Sequence, residues 1–197
     1  MTRVVLATAN PDKAREIRDV LGAVGLASGL VPRPDDVPDV DETGATLEDN
    51  ARLKAAALCD ATGLPAIADD TGLEVDALDG APGVRSSRYA GERATYADNV
   101  TKLLHELDAV PPADRSARFV TVAIMRWPDG REVVARGEVR GAITTSRRGD
   151  AGFGYDPVFA PDEGDGRTFG EMTADEKHAL SHRGRAFRVL AESLRDA

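Results

Sequence analysis

The chain has 197 residues, of which 42% are hydrophobic and 30% charged, and a formal net charge of -9. That length allows one sizeable core and is short for two, so a single domain over residues 1–197 is expected, in one piece or in two lobes. The acidic balance argues against broad electrostatic binding to nucleic acid. No apolar run approaches the roughly 20 residues that cross a bilayer, and MTRVVLATAN lacks the apolar stretch and cleavage site of a signal peptide. These features predict a cytoplasmic protein with neither nucleic-acid nor membrane partners. Cys59, the one cysteine, lies in an Ala-rich run and reads as a small core residue.

In chain order, Arg3 to Thr8 (RVVLAT) reads as a buried strand. Asn10 as N-cap and Pro11 at the first helical position then open a helix with Ala14, Ile17, Leu21 and Val24 on its apolar face. RPDDVPDVDETG has no periodicity and reads as a surface loop. Thr46 and Asp49 form a capping-box pattern that starts an Ala-rich helix ending near Gly63. A strand PAIADD follows, then a Thr71-Gly72 turn, a second short strand from Leu73 to Ala77, and the turn DGAPG. Thr95 and Asp98 repeat the cap before Val100, Leu103, Leu104 and Leu107. ARFVTVAIMRW and REVVARGEV flank Pro-Asp-Gly, a hairpin signal. From Thr173 the tail reads as helix, with Leu180, Phe187, Leu190, Ala191 and Leu194 at helical spacing. The sum is an α/β protein whose mixed central sheet is flanked by helices.

Four segments read as more than scaffold. TANPDK joins a strand end, a helix N-terminus and Lys13, which suits an anion, although a capped helix with a solvated lysine has the same pattern. It lacks the glycines of a Walker A loop. Glu42, Asp69 and Asp70, with Glu74 and Asp76 beyond, offer oxygen ligands of the kind magnesium takes. One of the paired aspartates could equally support the Thr71-Gly72 turn. GDAGFGYDPVF surrounds Phe153 and Tyr155 with glycines, as a base-stacking loop or a tight turn with core aromatics would. EKHALSHRGRA gathers Lys177, His178, His182, Arg183 and Arg185, either a binding cluster or a solvated helix face.

TANPDK, ETGATLEDNARLKA, IADDTGLEVDALDGAPGVRSSRYAG, GFGYDPVF and MTADEKHALSHRGRA occur in that order. In this the chain closely resembles the inosine/xanthosine triphosphate pyrophosphatase family, from about residue 4 to the C-terminal helix. The resemblance implies a magnesium-dependent homodimeric enzyme, of two lobes around a substrate cleft, that hydrolyses ITP, dITP and XTP to monophosphate and pyrophosphate. It implies triphosphate binding by the stretch Thr8, Ala9, Asn10, Pro11, Asp12 and Lys13, with Lys177 adding charge. Glu42, Asp69 and Asp70 would hold the metal, Asp70 also accepting a proton from the attacking water, with Thr71 touching the substrate beside them. Phe153, Gly154, Tyr155 and Asp156, together with His182 and Arg183, would enclose and read the base.

The chemistry agrees with these residue types. Attack on the α-phosphorus needs charge neutralisation and an aligned water, which lysines, a cation and carboxylates supply. A 6-keto purine presents an acceptor where adenine presents a donor, so hydrogen-bond donors would favour it. Three rivals to this reading are a pyrophosphatase for modified pyrimidine nucleotides, a nucleotide-binding module without turnover, and a phosphotransferase.

Overall fold

The computed structural model describes residues 3–195. Its helices are α1 (Pro11–Ala23), α2 (Leu47–Thr62), α3 (Tyr96–Glu106), α4 (Ala174–Leu180) and α5 (His182–Arg195). Its strands are β1 (Val4–Leu6), β2 (Leu30–Val31), β3 (Ala66–Val75), β4 (Pro82–Gly83), β5 (Ser116–Arg126), β6 (Glu132–Ile143) and β7 (Phe159–Pro161). They form one sheet in the order β2-β1-β3-β5-β6-β7, with β4 paired to β3. β1 runs parallel to β2 and β3, whereas β4 and β7 run antiparallel to β3 and β6, so the sheet is mixed as expected.

The caps that the sequence announces are formed. Asn10 Oδ1 accepts from the backbone N–H groups of Asp12 and Lys13 at 2.9 and 3.3 Å. Thr46 and Asp49 form a reciprocal capping box, as do Thr95 and Asp98. Gly63 closes α2 with φ 66°, a conformation that costs glycine little.

Two expectations are corrected. Thr71-Gly72 is no turn: β3 runs unbroken from Ala66 to Val75, because neighbouring strands extend its ladder on both sides. The helical tail is two helices, separated at Ser181, whose extended backbone (φ -67°, ψ 153°) ends α4 before α5 starts at His182. The strand β2 carried no sequence signal, being two half-buried residues long.

The chain divides into two compact units. One holds the chain through Asp70, Thr121–Gly137 and the stretch from Arg183 onward. Its core packs Ile17, Val20 and Leu21 of α1 with Ile67 of β3, Met125 of β5, and Phe187 and Leu190 of α5. The other unit holds Thr71–Val120 and Glu138–His182. Its core joins Val100 and Leu103 of α3 with Phe119, Phe159 and Phe169, whose rings lie 4.7 to 6.4 Å apart.

Candidate active site

The first unit carries a cluster of lysines and carboxylates around the middle of β3. Successive strand residues point to opposite faces, and Asp69 and Asp70 accordingly meet different partners. Asp69 is 1% exposed, and its Oδ2 lies 3.4 Å from Lys13 Nζ and 3.3 Å from Arg183 Nη2. Arg183 also donates to Glu16 of α1. Asp70 Oδ1 accepts from Lys54 Nζ at 2.9 Å, and its Oδ2 from Asn50 Nδ2 at 3.3 Å. Lys13 reaches towards this second carboxylate too, at 4.0 Å. The adjacent aspartates therefore fold at tolerable cost because Lys13 and Arg183 meet one carboxylate, and Lys54 with the same Lys13 meets the other.

The electrostatics follow from burial and these partners. Burial would raise the Asp69 carboxyl, yet Lys13, Arg183 and Lys54 hold it well below the usual range. Lys54 is likewise desolvated, but Asp70, Asp69 and Glu42 outweigh that and keep its ammonium above the ordinary lysine value. Lys13 is the reverse case: burial pushes it down further than Asp69 and Asp70 can restore. A lysine so placed is compensated only in part, and a phosphate oxygen would restore the balance.

The N-terminal turn of α1 is less open than the sequence suggests. The Asn10 side chain occupies two of its N–H groups, Asn10 N–H itself donates to Thr8 Oγ1 at 3.2 Å, and Pro11 has none to offer. Anion binding there would rest on Lys13 more than on free amides.

Glu42 joins this cluster through Lys54, whose Nζ lies 2.8 Å from Glu42 Oε1. Among the described residues, no three carboxylate, imidazole or thiolate groups converge as a ready metal cage. Glu42 and Asp70 converge instead on the Lys54 ammonium, showing that these two carboxylates can share one positive charge. Magnesium commonly takes only one or two protein carboxylates and completes its shell with water and phosphate, so this oxygen donor set fits it in kind. Glu74 and Asp76 are committed elsewhere in the other unit, to Arg118 at 2.6 Å and to Ser116 at 2.7 Å.

Thr71, half-buried and next along β3, belongs to the second unit, as do the loop residues and His182. Asp156 organises that loop: its Oδ2 accepts from Phe153 N–H at 2.7 Å and from the Lys177 ammonium. Gly152 (φ 72°) has to be glycine, since a Cβ there would lie 2.0 Å from the same oxygen. Lys177 Nζ sits 4.8 Å above the Phe153 ring, which also meets Tyr96 at 5.7 Å. Tyr155 is a core residue, 5% exposed, with its hydroxyl donating to Ser86 C=O at 2.9 Å and its pKa driven up by burial. His182 stacks on Phe119 with ring centroids 4.5 Å apart and planes 15° from parallel.

Lys54, Asn50 and Glu16 escape the residue-by-residue reading of the sequence. The available signal was their position on helices: Asn50 and Lys54 are four apart and share one face of α2, while Glu16 falls on the buried face of α1 beside Ile17.

In this mixed α/β fold the part-buried Lys13 and Lys54 face the paired carboxylates Asp69 and Asp70. Among known proteins the chain belongs to the Ham1 family, whose model matches residues 4–193. It is 52% identical to a dITP/XTP pyrophosphatase of Frankia alni, over 98% of each chain. With the dITP/XTP pyrophosphatase of Streptomyces avermitilis it shares 48% identity, over 100% of this chain and 98% of that one. In structure it is similar to a HAM1 protein from Coxiella burnetii, with TM-score 0.89 and 41% identity over all of both chains. A nucleoside-triphosphatase / dITP/XTP pyrophosphatase from Mycobacterium abscessus matches with TM-score 0.75 and 44% identity, over 96% of this chain and 97% of that one.

Proposed function

We propose that this chain is, over its whole length, a nucleoside triphosphate pyrophosphatase that hydrolyses ITP, dITP and XTP to the monophosphate and pyrophosphate. The observation that carries this reading is the full-length similarity to dITP/XTP pyrophosphatases at 52 and 48% identity. The part-buried lysine–carboxylate cluster on α1, α2, β3 and the acidic loop is of the composition such chemistry needs.

In this reading Lys13 and Lys54 neutralise the triphosphate while Asp70 accepts a proton from the water that attacks the α-phosphorus. Magnesium, held by Glu42 and Asp70 with Asp69 behind them, would supply further charge neutralisation on the phosphate oxygens. The half-buried Phe153 offers the base a ring face, and Gly154 and Asp156 shape the loop that presents it. Lys177, fixed by Asp156, adds positive charge, and His182 contributes a ring donor to recognition of the 6-keto group. Arg183 acts by anchoring Asp69, to which its guanidinium is committed. A homodimer and a cytoplasmic location complete the reading, resting on the family resemblance and on sequence composition. No helix among the described residues is long and apolar enough to cross a membrane.

The test is pyrophosphate release from ITP, XTP, GTP and ATP, each with magnesium and with a chelator. Fast, metal-dependent release from ITP and XTP but not ATP supports the reading. No release from any of the four overturns it. Light scattering on the eluted protein checks the dimer.

A further inference from the structure

We propose that Asn50 is a positioning residue for hydrolysis, orienting the Asp70 carboxylate and locking the loop that presents Glu42. The inference rests on the reading of Asp70 as the group that accepts the proton of the attacking water.

Asn50 is fully buried, on the face of α2 turned to β3. Its Nδ2 donates to Asp70 Oδ2 at 3.3 Å, and its Oδ1 accepts the backbone N–H of Gly44 at 2.8 Å. Lys54, one turn further along the same face, donates to Asp70 Oδ1 at 2.9 Å and to Glu42 Oε1 at 2.8 Å. Each of these two helix residues thus makes one bond to the strand and one to the acidic loop. Both oxygens of Asp70 are held, so rotation of its carboxylate would break a bond on either side.

Only a short amide does what Asn50 does there. It must donate to a carboxylate and accept from an N–H at the same time, which fixes which end of the amide is which. Aspartate keeps the acceptor and loses the donor; alanine loses both. The loop is fitted to this contact. A Cβ on Gly44 would lie 2.6 Å from Asn50 Oδ1 and 2.6 Å from Asp49 Cβ, so glycine is needed for the backbone to rest on the amide.

The test compares Asn50→Asp, Asn50→Ala and Gly44→Ala with the unaltered enzyme, using ITP with magnesium. The folded fraction of each is taken from urea titration, and ITP binding without metal is measured by calorimetry. Positioning predicts that kcat per folded molecule falls about 10- to 100-fold in both Asn50 variants. KM, and metal-free ITP affinity, should stay within about threefold. Gly44→Ala, which displaces the loop and leaves the amide intact, should lower kcat in the same sense. Asn50→Asp keeps the acceptor for Gly44 but sets a second carboxyl beside Asp70, whereas Asn50→Ala adds no charge, so a fall in both variants assigns the loss to the missing donor. If kcat per folded molecule stays within about twofold in both Asn50 variants, Asn50 merely supports the fold and the proposal fails. Asp70→Asn runs alongside: undiminished turnover there would sink the underlying reading of Asp70, whereas its loss beside fully active Asn50 variants would sink the positioning role alone.

Discussion

Arg183 places Nε and Nη2 on a single oxygen of Asp69, at 3.4 and 3.3 Å, while its remaining amino group meets Glu16. All three side chains are at least nine-tenths buried, so α5, β3 and α1 are tied by a charge triad out of water. Removing one member of such a group strands the others. Arg183→Ala should therefore destabilise the protein by about 3 to 5 kcal/mol, read as a lower midpoint in urea unfolding. A loss below about 1 kcal/mol would mean that the triad contributes little. The double variant with Glu16→Ala should lose less than the sum of the two single losses, because the two residues share a partner network.

Asp70→Asn keeps the side chain's shape and removes the proton acceptor. Turnover of ITP should fall at least about hundredfold, with nucleotide binding still measurable by calorimetry. Near-normal kcat in this variant would refute the assignment.

Tyr155 lies in a segment whose glycines suggest a base-stacking loop, yet its ring is packed in the core and its hydroxyl is bonded to Ser86 C=O. Tyr155→Phe should cost about 0.5 to 1.5 kcal/mol in unfolding free energy. The ratio of kcat/KM for ITP over ATP should not change. A narrowed ratio would return Tyr155 to the base-reading set.

The low pKa of Asp69 makes stability pH-dependent in a definite direction. Its folded value lies below its ordinary value of 3.8, so its contribution is fully present above about pH 4 and is withdrawn as pH falls below that towards the folded value. Unfolding free energy should drop on acidification through that window, and Asp69→Asn should flatten this limb. Urea titrations from neutral to about pH 2 read both, and an unchanged slope in the variant would assign the acid limb to other carboxylates.

The local elements were legible in the sequence because their signals are local. Asn10-Pro11, Thr46 with Asp49 and Thr95 with Asp98 mark helix starts by bonds made within three residues. The break at Ser181 and the continuity of β3 through Thr71-Gly72 were not, since a ladder with neighbouring strands decides whether a Thr-Gly pair turns or extends. Of the site, Lys13, Glu42, Asp69 and Asp70 stood out as residue types near element ends, and they do gather in one charged cluster. Lys54 and Asn50 did not, because their spacing of four on an Ala-rich helix marks a shared face but not which way that face points.

By itself the sequence determined the helix caps, the mixed α/β class, the acidic balance and the ordered motifs that carry the family resemblance. Only the tertiary structure decided how charge is distributed among these residues. It set Arg183 against Asp69 and Glu16, Lys54 between Glu42 and Asp70, and Tyr155 in the core. The physical reason is separation along the chain. A cap is closed by neighbours, whereas Arg183 reaches Asp69 across 114 positions and Tyr155 reaches Ser86 across 69, and such pairings exist only once the strands and helices between them have packed.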